Sequence, residues 1–244
     1  MIVVALSGRA AAGKDSFAAG LLTAAAELGK VGVTISFAET LKRVTCDIWG
    51  VDSEYMRSYE GKALLRPRLV LLGCFVREID PNAWVDAVVR KIQALRAADL
   101  VVIPDLRFMN EASRLFVALP NADVRIVRIS ASVRARSLRM GETRFNDYVE
   151  TGLSTDPSES QMDVLDVGFP RSSPMYAEDV RIIRDGVPLV TNDGTLAELA
   201  EQAKSHACRL LSADGRPTSS ARKALQSAFW NLAHGLGPEA RLLL

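Results

Sequence analysis

Apolar residues along this chain fall into two alternating patterns. Short runs rich in Val, Ile and Leu read as strands, and longer stretches with apolar residues every three to four positions read as helices. The runs at 2–6 (IVVAL), 33–37 (VTISF), 100–104 (LVVIP) and 124–129 (VRIVRI) predict strands, with one or two more strand segments within 180–190. Helices are predicted over 14–28, stopped by Gly29, and over 39–49, where Leu41, Val44, Ile48 and Trp49 share a side. Residues 53–98 read as mostly helical, broken at Gly61, at Pro67 and before a new start at Asp80-Pro81. A helix over 110–119 follows the third strand, and a helix over 195–211 is opened by Asn192-Asp193-Gly194-Thr195. Residues 131–178, rich in Arg, Gly, Ser and Pro, read as a mobile excursion. Past Ser212 a polar linker leads to a helix over 220–235, whose stripe of Leu225, Phe229, Leu232 and Ala233 is expected to dock on the parent domain.

Alternation of this kind predicts an α/β fold with an open, mainly parallel five-stranded sheet covered by helices on both faces. The third run has no polar interruption, as a strand buried on both sides requires. One domain is expected over 1–211, with a lid at about 131–178, and a linker and helical extension over 212–244.

Composition narrows the functional classes. The chain has 244 residues, 48% hydrophobic and 24% charged, which is globular and excludes disorder and fibres. With 30 basic against 29 acidic side chains the formal charge is +1, too little basic excess for a binder of polymeric nucleic acid. Arginine outnumbers lysine 23 to 7, a bias that suits forked phosphate contacts and equally a GC-rich coding sequence. Three scattered cysteines and two histidines match neither a disulfide framework nor a zinc site. The initial apolar run is too short to span a bilayer and no later run reaches that length, so a soluble cytoplasmic protein without a membrane partner is expected.

The chemistry begins at Gly8-Arg9-Ala10-Ala11-Ala12-Gly13-Lys14, a G-x-x-x-x-G-K loop between a strand and a helix. In such a loop successive backbone N–H groups and a helix N-terminus converge on phosphate, and the lysine reaches the β- and γ-phosphates. The spacing therefore defines a P-loop NTPase three-layer fold. The Ser or Thr that follows the lysine in that motif is replaced by Asp15, with Ser16 next, so Mg²⁺ would fall to either residue. Asp105 and Arg107 stand just past the third strand, at the sheet end where ligands bind. Arg66, Arg68 and Arg77 lie on a helical segment ahead of Trp84, and cations plus an aromatic suit a nucleotide's phosphate and base, although Trp84 taken alone reads better as a core residue. Arg134, Arg136, Arg139 and Arg144 sit in the excursion, where a flap could close over a transferring phosphoryl group.

Taken together, SGRAAAGKDS, SFAETLKR, LLGCFVREIDPNAW, VVIPDLRFMNEA and TNDGTLAEL resemble, in that order, the deoxynucleoside monophosphate kinases of tailed bacteriophages and related P-loop kinases. The resemblance covers about residues 1–200. It implies ATP- and Mg²⁺-dependent phosphorylation of a deoxynucleoside monophosphate, in the host cytoplasm if the gene belongs to a phage. It implies that Gly8 to Ser16 bind ATP and that Lys14, Asp105, Arg107 and the flap arginine Arg139 serve the transfer. Arg68, Arg77 and Arg107 would hold the acceptor's phosphate, with Lys42 and Trp84 lining its pocket. The family's segment at Thr155-Asp156-Pro157-Ser158-Glu159 carries a His before Ser-Glu; this chain lacks it, and these residues receive no role. Two alternatives stay open: a kinase of another phosphorylated small molecule, as in animal-type phosphomevalonate kinases, and a non-catalytic ATP-binding switch. A homodimer is left open too.

Overall fold

The computed structural model describes residues 1–166, 177–212 and 218–235. Its sheet has five strands, β1 (Ile2–Ser7), β2 (Gly32–Thr34), β3 (Leu100–Leu106), β4 (Asp123–Ser130) and β5 (Leu189–Thr191), in the order β2-β3-β1-β4-β5. Every neighbouring pair is parallel. Central β1 pairs through Ile2 with Leu100 on one side and Asp123 on the other.

Strand alternation sorts the core into two layers. Val3, Ala5, Val101, Ile103, Val124 and Ile126 face α5 (Ala83–Ala94), α6 (Met109–Ala118), α10 (Ala177–Gly186) and α12 (Ser219–Gly235). Val4, Leu6, Leu100, Val102, Val127 and Ile129 face α1 (Lys14–Glu27) and α11 (Leu196–Leu211). Burial on both faces explains why the strands are apolar at consecutive positions. A Cβ on Gly20 would stand 2.7 Å from that of Ala203, so only glycine lets α1 and α11 approach this closely. Beyond edge strand β2, α2 (Phe37–Trp49), α3 (Ser53–Arg57) and α4 (Tyr59–Ile79) share a small separate cluster of Cys46, Met56 and Leu65.

Three segments differ from the sequence expectation. Helix α4 runs through Gly61 and Pro67 without a break. Gly61 serves a close approach, because a Cβ there would lie 1.8 Å from the Tyr55 carbonyl at the end of α3. Residues 180–186 are helical in α10, and only Leu189–Thr191 forms a strand. Val180, Ile183 and Val187 are buried at helical spacing, which outweighs their β-branched character. The excursion is structured through residue 166, as α7 (Val133–Met140), α8 (Glu142–Glu150), α9 (Pro157–Ser160) and a 3₁₀ turn (Gln161–Leu165). Its polar composition hides the helical period, and charge pairs hold much of it in place. The rest of the predicted excursion, 167–176, lies outside the described residues.

The C-terminal helix belongs to the core. Phe229 of α12 is fully buried and stacks on Phe116 of α6, with centroids 6.1 Å apart. Arg222 donates to the carbonyls of Leu119 (2.8 Å) and Ala122 (2.5 Å), closing the end of α6. Among the described residues, no helix is long and apolar enough to cross a membrane.

Candidate phosphate-binding site

The loop Gly8–Gly13 joins the end of central β1 to α1. Two close approaches shape it: a Cβ on Gly8 would lie 2.4 Å from the Ile129 carbonyl, and one on Gly13 would lie 2.3 Å from Asn192 Nδ2. Gly13 also has φ 99° and Ala11 has φ 59°, an uncommon angle for a residue with a Cβ. No side chain caps α1, so its first N–H groups are left for an anion. Asn192, buried past β5, donates to the Ala12 carbonyl at 2.8 Å and fixes the loop from the far side.

Lys14 curls into the loop's own concavity, donating to the carbonyls of Gly8 (2.6 Å) and Arg9 (3.0 Å). Burial, reinforced by the positive charge of Arg107, pushes its pKa down from 10.5 to about 8. Asp15 and Ser16 lie exposed in the first turn of α1. Among the described residues no cluster of three acidic, His or Cys side chains could hold a metal alone. Mg²⁺ fits here only as a partner of phosphate oxygens and water, with one or two protein ligands.

Glu159, to which the sequence assigned no role, joins three elements of the site. Its side chain is 2% exposed. One carboxylate oxygen accepts from the Ala10 N–H of the loop (2.7 Å) and from the Tyr148 hydroxyl (3.2 Å). The other accepts from Arg107 Nη1 at 2.5 Å. Burial alone would raise its pKa, but the Arg107 charge and these donors outweigh that and hold the carboxyl below its usual range. Arg107 is thus one side chain away from the loop.

Arg77 joins this side of the site. Its guanidinium sits 4.2 Å over the Phe108 ring and 3.6 Å from buried Glu111, whose other oxygen accepts from the Arg107 and Phe108 N–H groups. Asp105 is otherwise engaged: it accepts from Ser36 Oγ (2.6 Å), Phe37 N (3.0 Å) and Ala38 N (2.8 Å) and so caps α2.

A second unheralded group is Arg128, 2% exposed on β4. It donates to Ser7 Oγ and ion-pairs with Asp163 and Asp166 at 2.7 and 2.6 Å. Asp163 also pairs with Arg9 of the loop, and Arg9 reaches the Ser154 carbonyl (3.0 Å). The alternation of VRIVRI could have flagged Arg128, since it turns to the core face beside Ile126.

Other predicted residues are dispersed. Arg68 and Arg77 do not form one clamp: nine residues apart, they project from opposite sides of α4, about 13 Å along its axis. Arg68 lies over Trp49 at 5.8 Å, and Lys42 is exposed on α2. Trp84 is 7% exposed and donates its indole N–H to the Gly73 carbonyl (3.2 Å), pinning α5 to α4 with no ring face offered to a ligand. Arg139 reaches the carbonyls of Ala11, Asn192 and Gly194, bracing the loop against the β5–α11 turn. Within the same helix it is Arg136 that is buried, 5.9 Å over the Phe145 ring.

A parallel sheet ordered 2-3-1-4-5, with a glycine-lysine loop leading from its central strand into α1, defines an α/β P-loop fold. No protein-family model matches the chain, and no curated protein matches it in sequence. Among solved structures, a gluconokinase from Sinorhizobium meliloti 1021 is similar at 16% identity and a TM-score of 0.42, over 86% of this chain and 93% of that one.

Proposed function

We propose that the chain is an ATP-dependent phosphotransferase whose acceptor carries a phosphate, with a deoxynucleoside monophosphate as the acceptor that the sequence resemblance favours. One observation carries this reading: a P-loop amide, Ala10 N–H, and an arginine from the opposite wall, Arg107, meet on a single carboxylate. Two anion-binding elements held that far apart suit a phosphoryl group passing from one to the other. Arg77 adds a second cation beside Arg107 through Glu111.

The acceptor's phosphate oxygen is already ionised, so the transfer needs no base. That oxygen bonds to the γ-phosphorus as the bond to the β–γ bridging oxygen breaks, and ADP leaves with the bridging oxygen. Lys14 uncurls from the Gly8 and Arg9 carbonyls to meet the β- and γ-oxygens, and the loop amides hold the donor. Arg107 and Arg77 orient the acceptor, which is most of what catalysis requires here. Asp15 or Ser16 would meet the Mg²⁺ that accompanies ATP, which would supply charge neutralisation on the phosphates.

The test is ADP release with ATP and Mg²⁺ against the four deoxynucleoside monophosphates and their ribose counterparts. At least one deoxynucleotide should stimulate turnover strongly; stimulation by none overturns the reading. A second reading, a kinase of a different phosphorylated small molecule, gains from one feature. Trp84, the aromatic expected to stack on a base, is buried with its N–H satisfied. Turnover with such an acceptor and none with nucleotides would decide for it.

A further inference from the structure

Glu159 presents the loop with an anion of the protein's own. Its donors are a loop N–H, a guanidinium and a phenol, a set that a phosphate oxygen would equally satisfy. Arg136 is 5% exposed, and its Nε and Nη1 have no hydrogen-bond partner among the described residues. Leaving two donors of a buried cation unpaired is costly. Arg136 comes from α7, its charge acts on the Tyr148 phenol, and Tyr148 in turn holds Glu159. A phosphate, with more acceptor oxygens and more charge, suits this surplus better than the carboxylate does.

The segment bearing Glu159 is attached to the loop at two other points, Arg9 with Asp163 and Arg9 with the Ser154 carbonyl. Both lie on the Arg9 side chain and leave the loop's N–H groups alone. Glu159 alone among these contacts takes a loop N–H.

We propose that Glu159 is a built-in competitor for the nucleotide's phosphate, so that binding exchanges one anion for another. The incoming phosphate takes over Ala10 N–H and recruits Arg136, and the displaced carboxylate releases Arg107 and frees its stretch of 153–166. This rests on reading Gly8–Ser16 as a phosphate loop, not on any phosphoryl transfer. Its energetic consequence follows from population arithmetic: a protein held in a self-occupied state binds its ligand more weakly by the fraction that is competent.

Calorimetric titration of the full chain with inorganic pyrophosphate, and separately with ATP and Mg²⁺, tests the exchange. Glu159→Gln keeps the shape and loses the charge, and it should bind both ligands roughly ten-fold tighter, the scale of one charged hydrogen bond. Tyr148→Phe removes one donor to the carboxylate and should shift affinity the same way by a smaller factor; it serves if Glu159→Gln fails to fold. In the unaltered protein, amides in 153–166 should exchange hydrogen faster at saturating pyrophosphate. Unchanged or weaker binding by the folded variants overturns the proposal, as does slower exchange. Tighter pyrophosphate binding without ADP release on any acceptor supports the exchange and sinks only the phosphotransferase reading.

Discussion

Arg77 and Arg107 are tied to one another through Glu111: Arg77 Nη2 lies 3.6 Å from one carboxylate oxygen, and the Arg107 N–H donates to the other at 3.0 Å. Glu111 is fully enclosed, and burial raises its pKa despite the Arg77 charge and the backbone donors. The two arginines come from α4 and from the end of β3, so this glutamate sets how far apart the acceptor's cations stand.

Arg77→Ala should therefore raise the acceptor KM by about ten- to a hundred-fold, the worth of one charge-assisted hydrogen bond, with little change in the ATP KM. Steady-state kinetics varying each substrate in turn checks the split.

Lys14→Ala should lower kcat by at least about a hundred-fold, the scale seen when a donor to developing charge is removed. The circular dichroism spectrum should stay unchanged, because among the described residues the side chain bonds only to carbonyls of its own loop.

The depressed pKa of Lys14 makes binding pH-dependent. In the free protein the ammonium loses its proton as pH rises through about 8, so ATP affinity should fall over that range, and binding at pH 9 should take up close to one proton. Calorimetry in buffers of different ionisation heat measures that uptake. The folded state binds fewer protons than the unfolded chain between about 8 and 10.5, so this group makes stability rise with pH across that window.

Arg128→Ala should destabilise the fold by about 3–5 kcal/mol, because Asp163 loses a buried partner and Asp166 its cation. Phe229→Ala should cost a similar ~3–5 kcal/mol by opening a cavity against Phe116. Denaturant unfolding measures both, and a near-zero cost for Phe229→Ala would mean that α12 is not part of the cooperative core.

The loop, the parallel sheet and the placement of Asp105 and Arg107 at a strand end were legible because each is a local pattern. A strand-loop-helix and a run of apolar residues announce themselves over a dozen positions. Arg68 and Arg77 were grouped as one phosphate clamp, although nine residues of helix turn one away from the other. Trp84 was ambiguous locally, and packing beneath α4 decided it.

The sequence by itself determined the strand alternation that yields two core layers and the glycine-lysine loop opening α1. Such features depend on neighbours within a turn or a strand. Tertiary structure alone decided that Glu159 meets Ala10 and Arg107, that Arg128 gathers Asp163 and Asp166, and that Arg136 is buried while Arg139 braces the loop. Charged side chains carry no periodic signal of their partners. Their pairings span up to 154 residues and exist only once the sheet has brought the ends of β1, β3 and β4 together.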